Sequence, residues 1–226
     1  MMIVSANYKK ATAEDVDRLA DAWQDPELPL RQYESVVKDE LEAFRNGAPI
    51  APYDTLVDLI YQVPGRTILD VGASSGYYSE VLKICGRKLE YTGVDYSPYY
   101  KDFALKMFPG IQFEVGRAED LPFINKSFDI VLHSACLMHC VEYEKAIVES
   151  WRVARTAVIF HRTPVYTDGT PTECFTKEAY GVPCIEFHFN EQELMRMFDR
   201  NGLRVVTSQD VFMDGNFGHR SYLLAC

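Results

Sequence analysis

The sequence predicts an α/β fold, a mainly parallel sheet covered by helices on both faces and preceded by an all-helical extension. Three observations carry the prediction. After about Val63, short apolar runs alternate with segments of helical period. The stretch Arg66 to Lys83 reads strand, small-residue loop, helix. Residues 1–63 show helical periodicity only.

In the extension, Ala11 to Trp23 places Val16, Leu19, Ala20 and Trp23 on one face, and Asp25-Pro-Glu-Leu-Pro29 breaks it. Arg31 to Phe44 carries Tyr33, Val36, Val37, Leu41 and Phe44 as an apolar stripe, ended by Asn46-Gly-Ala-Pro49. Tyr53 to Tyr61 is a short third helix. Three such helices are too thin for a core of their own, so residues 1–63 are expected to lie on the rest of the chain, residues 64–226.

The first strand is Thr67 to Val71, apolar and partly β-branched as for a strand buried on both faces. Gly72 and Gly76 permit a sharp turn and a close backbone approach. Further strands are expected at Glu90 to Tyr96, Ile111 to Val115, Phe128 to Ser134 and Ala157 to His161, with helices at Pro98 to Met107 and Val141 to Ala154. Residues Arg162 to Phe189 read as a long insertion. Loops of that length in compact domains are usually functional. Asn190 and Glu193 suggest a capping box for a helix ending at Gly202. Leu203 to Phe212 and His219 to Cys226 read as a closing antiparallel pair.

The composition narrows the partners. A net charge of −10 with no Lys/Arg run argues against nucleic acid or an anionic membrane. The six cysteines show no C-x-x-C spacing, as expected of reduced thiols in a cytoplasmic protein. Met1 to Lys10 lacks the apolar core of a signal peptide, and no window reaches the length of a membrane span.

The chemistry-bearing residues gather around the expected strand ends. Asp70 ends the first strand, and Asp70-Val-Gly72-Ala73-Ser74-Ser-Gly76 leads into a helix start with free backbone N–H groups, a layout suited to a nucleotide-like ligand. Asp95 lies 25 residues after Asp70, at the end of the second strand, where a carboxylate can accept from both hydroxyls of a ribose. Tyr96 beside it can pack on a base or on the core.

This stretch resembles the first motif of class I S-adenosylmethionine-dependent methyltransferases, with Ser74 in place of the middle glycine. Gly116-Arg-Ala-Glu-Asp-Leu-Pro-Phe123 is similar to the family's loop after the third strand, except that Arg117 stands where an adenine-binding Asp is usual. Arg cannot accept a hydrogen bond, so that contact must come from Glu119 or a backbone carbonyl. Phe128 to Cys140 resembles the fourth-strand motif. The four motifs agree in order over about Arg66 to Arg162. The resemblance implies a Rossmann-like, seven-stranded, mostly parallel sheet of order 3-2-1-4-5-7-6 with the last strand antiparallel, and an N-terminal helical lid. It implies S-adenosylmethionine as methyl donor, with S-adenosylhomocysteine as product. Asp70, Gly72, Ala73, Ser74 and Gly76 would hold the amino-acid end, Asp95 and Tyr96 the ribose and its surroundings, and Ala118 and Glu119 the adenine edge. His133 and Ser134 would lie near the sulfonium.

His139 and His161 follow strands that should open on the same crevice and are the candidate bases, in that order. Tyr33, Tyr53, Arg162, Tyr180 and His188, from the helices and the insertion, are expected to wall a pocket for a small-molecule acceptor methylated on O or N, in a monomer or homodimer. Four other readings compete. Gly72-Ala-Ser74-Ser-Gly76 also fits a serine-hydrolase elbow, but only helices precede it. A dinucleotide oxidoreductase would need a third glycine that is missing here. His133, Cys136, His139 and Cys140 are suitable metal ligands by type, yet no paired spacing supports them and no metal is expected. The fold could also bind the donor without catalysis.

Overall fold

A computed structural model describes residues 8–226. Most of the Met1 to Lys10 segment, read above as lacking a leader, lies outside the described residues. A short strand β1 (Lys9–Lys10) leads into helix α1 (Ala13–Leu19), where Thr12 and Asp15 close a capping box. Helix α2 (Leu28–Gln32) runs through a wide π turn, Tyr33–Val37, into α3 (Lys38–Arg45), so the expected second helix starts earlier and is not uniform. Helix α4 (Ala51–Tyr61) begins two residues before the expected start, with Pro52 in its first turn, where a missing N–H costs nothing. Its Leu56, Leu59 and Ile60 are wholly buried, each contributing roughly 1.5–3 kcal/mol.

The sheet then builds outward from β2 (Thr67–Val71). After α5 (Tyr78–Ile84), β3 (Glu90–Asp95) pairs with it in parallel. After α6 (Pro98–Met107), β4 (Gln112–Val115) extends the same edge. The chain returns to the other side of β2 with β5 (Phe128–Ser134), and after α7 (Tyr143–Val153) it adds β6 (Ala154–Tyr166). Two cores result. Ile68 and Ile130 face α4 and α5, whereas Leu69, Val131 and Phe160 face the opposite layer.

The Arg162 to Phe189 insertion is not a loop. Strand β6 runs on to Tyr166, and β7 (Glu173–Ala179) and β8 (Val182–Asn190) form an antiparallel hairpin. Tyr180 and Gly181 turn it with φ of 53° and 79°, as a two-residue hairpin turn with positive φ at both positions requires. Strand β1 pairs with β7, and β8 meets the end of β6. Among the described residues the sheet therefore has ten strands, where seven were expected. Helix α8 (Glu191–Arg200) follows. Asn190 accepts from the Glu193 N–H, but the Glu193 carboxylate binds Thr172, whose hydroxyl accepts from Asn190 N, so a third residue closes the expected box. Strands β9 (Arg204–Asp214) and β10 (Phe217–Ala225) are antiparallel, and β10 lies antiparallel beside β6.

A bulge interrupts the β6–β10 ladder. Phe160 pairs with Tyr222 and Thr163 with Arg220, so His161 and Arg162 both oppose Ser221. Arg162 takes φ +58°, a left-handed conformation that costs a side-chain-bearing residue about 1 kcal/mol or more. Ser221 Oγ lies 2.8 Å from His161 Nδ1 and accepts from Arg162 N at 3.3 Å. Ser221→Ala leaves both groups without this partner in a dry site. It should destabilise the fold by about 1–3 kcal/mol in chemical denaturation; an unchanged midpoint would show that the bulge holds without it.

Candidate active site

The loop after β2 is stitched to β3. Gly72 N and Ala73 N both donate to Val94 O, at 2.8 and 3.0 Å. Gly72 has φ +67°, and a Cβ there would lie 2.5 Å from Cys136 Sγ, so the position needs glycine twice over. Ser74 N donates to Asp95 Oδ2 at 3.1 Å and Ser97 N to Asp95 Oδ1 at 3.0 Å. Burial raises the Asp95 carboxyl to about 6 against the pull of these N–H donors. Asp95 lines a cavity of about 850 Å³, and its oxygens can accept further hydrogen bonds.

That cavity opens at the carboxyl ends of β2, β3, β5 and β6. Gly72, Ser74, Asp95, Tyr96, Ala118, Glu119 and Ser134 line it, as do Arg162, Tyr180 and His139. Several expected residues stand elsewhere. Asp70 does not line the cavity: Tyr91 OH and Ser134 Oγ each donate to it at 2.6 Å, and burial pushes its carboxyl up to about 7. Ala73 packs against Tyr100 and Phe113, and Gly76 lies under Ile111. His133 points into the opposite layer, 2.7 Å from Ser150 Oγ, and burial takes it down to about 3. Its expected place near the sulfonium is corrected by strand alternation, which sends neighbours His133 and Ser134 to opposite faces.

His161 is likewise corrected as a base candidate. It is buried against Ser221 and Tyr78, off the cavity wall, and burial, with Arg162 and His219 beside it, holds it well below the usual histidine range. Tyr33 packs on Phe103 and Phe108, and Tyr53 sits behind Tyr77 and Tyr78. His188 lies under Tyr8, Phe175 and Phe217, bonded to Glu186. None of these three reaches the cavity.

His139 does. A backbone carbonyl can only accept, so the 2.6 Å contact with Ile185 O places the proton on Nδ1 and leaves Nε2 as the acceptor. Burial, and then Lys177, hold the ring down to about 4, so it is neutral at physiological pH. Sequence reasoning missed Trp23, Tyr77, Tyr100, Lys177 and His219 as lining residues. Trp23 and Tyr77 belong to helical patterns that read as core, and the position of Lys177 depends on the unforeseen hairpin.

The N-terminal segment closes one side. Trp23 N donates to Tyr96 OH at 2.8 Å, and the indole sits 4.9 Å from the His139 ring. Arg117 lies over the Tyr96 ring and pairs with Asp21. The arginine that departs from the family pattern thus ties the helical segment to the loop after β4. Ser74 Oγ accepts from Ser75 N and has no histidine partner among the described residues, which disfavours the hydrolase elbow. No group of three or more metal-ligating side chains is assembled among the described residues.

A family model for a methyltransferase domain matches residues 69–160. A demethylmenaquinone methyltransferase of Renibacterium salmoninarum is 36% identical over 100 residues, covering 44% of this chain and 41% of that protein. A fatty-acid O-methyltransferase of Mycolicibacterium smegmatis is 32% identical over 111 residues, 48% of this chain and 39% of its own. The match thus spans about two-fifths of the length of these relatives. The structure of Burkholderia thailandensis 1,6-didemethyltoxoflavin-N1-methyltransferase, with 1,6-didemethyltoxoflavin and S-adenosylhomocysteine bound, superposes with a TM-score of 0.62 at 17% identity, over 100% of this chain and 97% of that one. Motif order, strand pairing and these likenesses agree on a Rossmann-like fold whose residues 69–160 are similar to a methyltransferase domain.

Proposed function

We propose that this protein transfers the methyl group of S-adenosylmethionine to oxygen or nitrogen of a small organic acceptor inside the 850 Å³ cavity. The observation that carries the reading is the Asp95 carboxylate on the cavity wall, held by the backbone N–H groups of Ser74 and Ser97. Those acceptor oxygens fit the two hydroxyls of a ribose. Gly72 and Ser74 then flank the amino-acid end of the donor, with Ala118 and Glu119 at the adenine edge. The relatives it resembles are named for small organic acceptors, and a cavity of this size suits one such molecule beside the donor.

The donor brings an activated sulfonium methyl, so the chain's own work is alignment, exclusion of water and management of the acceptor's proton. In this reading residues 1–63 form the lid, 64–226 the transferase domain, and 162–189 a wall of the acceptor pocket. His139 is the base: neutral, held by Ile185 O, with Nε2 free to accept. Asp70 is a positioning residue that orients Ser134 rather than touching the donor. In this reading the protein is a cytoplasmic monomer or homodimer, with its six cysteines as free thiols.

Methyl-labelled S-adenosylmethionine, offered with a panel of phenols, amines and carboxylic acids, should yield a labelled product. Donor binding with no transfer to any of them would favour a binding protein of the same fold. On the acceptor that turns over, His139→Ala should lower kcat by about 10²–10⁴-fold; full turnover would remove His139 as base.

Asp95 gives a pH signature. Its carboxyl titrates at about 6, so S-adenosylhomocysteine affinity should be level above that pH and fall as the pH drops through it, because the protonated acid loses an acceptor position. Asp95→Asn should weaken binding roughly 10- to 100-fold and flatten the profile. Calorimetry between pH 5 and 8 checks both, and a wild-type profile without that fall would count against the ribose assignment.

A further inference from the structure

Arg162 occupies an unusual place. The β6 bulge takes it out of the strand's alternation, so that its neighbour His161 stays in the core while Arg162 joins the cavity wall. Bulges beside active sites commonly re-aim one side chain in this way. A guanidinium remains charged in any protein setting. Here burial works against the charge, but Tyr78, Tyr77, Tyr180 and Glu40 outweigh it and hold Arg162 firmly protonated.

The other cations on the wall are already paired, Arg117 with Asp21 and Lys177 with Glu186. Among the described residues no carboxylate forms an ion pair with Arg162. Glu40 shares the cavity and acts on Arg162 at longer range only. His219, on β10 beside it, is held down to about 4 by burial and by Arg162 itself, so it adds no charge at neutral pH. A half-buried cation with no carboxylate partner on a cavity wall is open to an anionic ligand.

Strand order says which ligand. Neighbouring strands are roughly 4.8 Å apart, and β6 lies two strands from β2 and three from β3. Arg162 therefore stands on the far side of the cavity from Asp95 and Ala118, among Tyr77, Tyr180 and His219.

We infer that Arg162 anchors a carboxylate carried by the methyl acceptor, and that the acceptor is a small carboxylic acid whose apolar body lies among the aromatic residues Trp23, Tyr77 and Tyr180. The inference rests on the methyl-transfer reading. Arginine suits the task because its planar fork meets both carboxylate oxygens at once.

Calorimetry on the full chain saturated with S-adenosylhomocysteine tests it, comparing 4-hydroxybenzoate with 4-hydroxybenzamide and octanoate with octanamide. At least one acid should bind about tenfold more tightly than its amide. Arg162→Met should abolish the difference and Arg162→Lys restore part of it, with S-adenosylhomocysteine affinity changed by no more than about twofold. Acids that bind no better than their amides, or an acid preference that survives Arg162→Met, would overturn the inference. So would a tenfold loss of S-adenosylhomocysteine affinity in Arg162→Met, which would assign Arg162 to the donor's own carboxylate. Should Arg162→Met fail to fold, the wild-type comparison of acid with amide still decides. A wild-type protein that takes up no S-adenosylhomocysteine would overturn the methyl-transfer reading itself.

Discussion

A buried carboxylate without a basic partner must be surrounded by N–H or O–H donors, and at Asp95 that requirement organises the whole cleft. Its two oxygens take one backbone N–H from the loop after β2 and one from the turn into α6. Two loops that would otherwise be independent are thereby tied at their tips. The tie holds Ser74 at φ +48°, an unusual conformation for a residue with a side chain. It also leaves the carboxylate able to accept further hydrogen bonds on the cavity wall. The strain and the desolvation fall on the same few atoms because the same atoms must meet a ligand.

The rest of the cavity is closed by parts of the chain that do not belong to the parallel sheet. The N-terminal segment reaches Tyr96 through the Trp23 N–H and the loop after β4 through Asp21 and Arg117. The hairpin of β7 and β8 brings Lys177 and Tyr180 to the opposite wall, while Ile185 O of β8 fixes the His139 tautomer. Arg117 illustrates the exchange of roles. As a donor it cannot serve an adenine amino group, but stacked on Tyr96 it fastens the cover over the same place. Closure of this kind excludes water and strengthens each polar contact inside.

The strands and helices from Thr67 to Phe160 were legible because two periods, 2 and 3.6, alternate there with glycines at the turns. Gly72, Ser74, Asp95 and Ala118 line the cavity, a placement legible in the sequence because those positions rest on local chain geometry. Three features were not. The hairpin was hidden by its mixed polar strands, although the alternation in Val182 to Phe189 after Tyr180-Gly181 was a usable signal. The bulge at Ser221 has no mark in the sequence of β6, so nothing distinguished core His161 from cavity Arg162. Asp70 and His133 were misplaced because a strand's register decides which face its last residues take, and register depends on partners far along the chain.

Asp70 and Asp95 together set how the free protein responds to pH. Both carboxyls are raised by burial from 3.8, to about 7 and about 6. The folded chain therefore binds protons more tightly than the unfolded chain between pH 4 and 7, and these two groups stabilise the fold less as the pH rises through that window. Tyr91 and Ser134 already donate to Asp70, so a ligand has nothing to add there. Asp95 differs, because its oxygens on the cavity wall can accept further hydrogen bonds. Hydroxyls arriving at Asp95 favour its ionised form and lower its carboxyl again, so the stabilisation that a bound nucleoside confers should be greatest where the empty cleft is least comfortable, above pH 6. One buried acid is thus satisfied by side chains within the fold, whereas in the proposed reading the other is completed by what the fold binds.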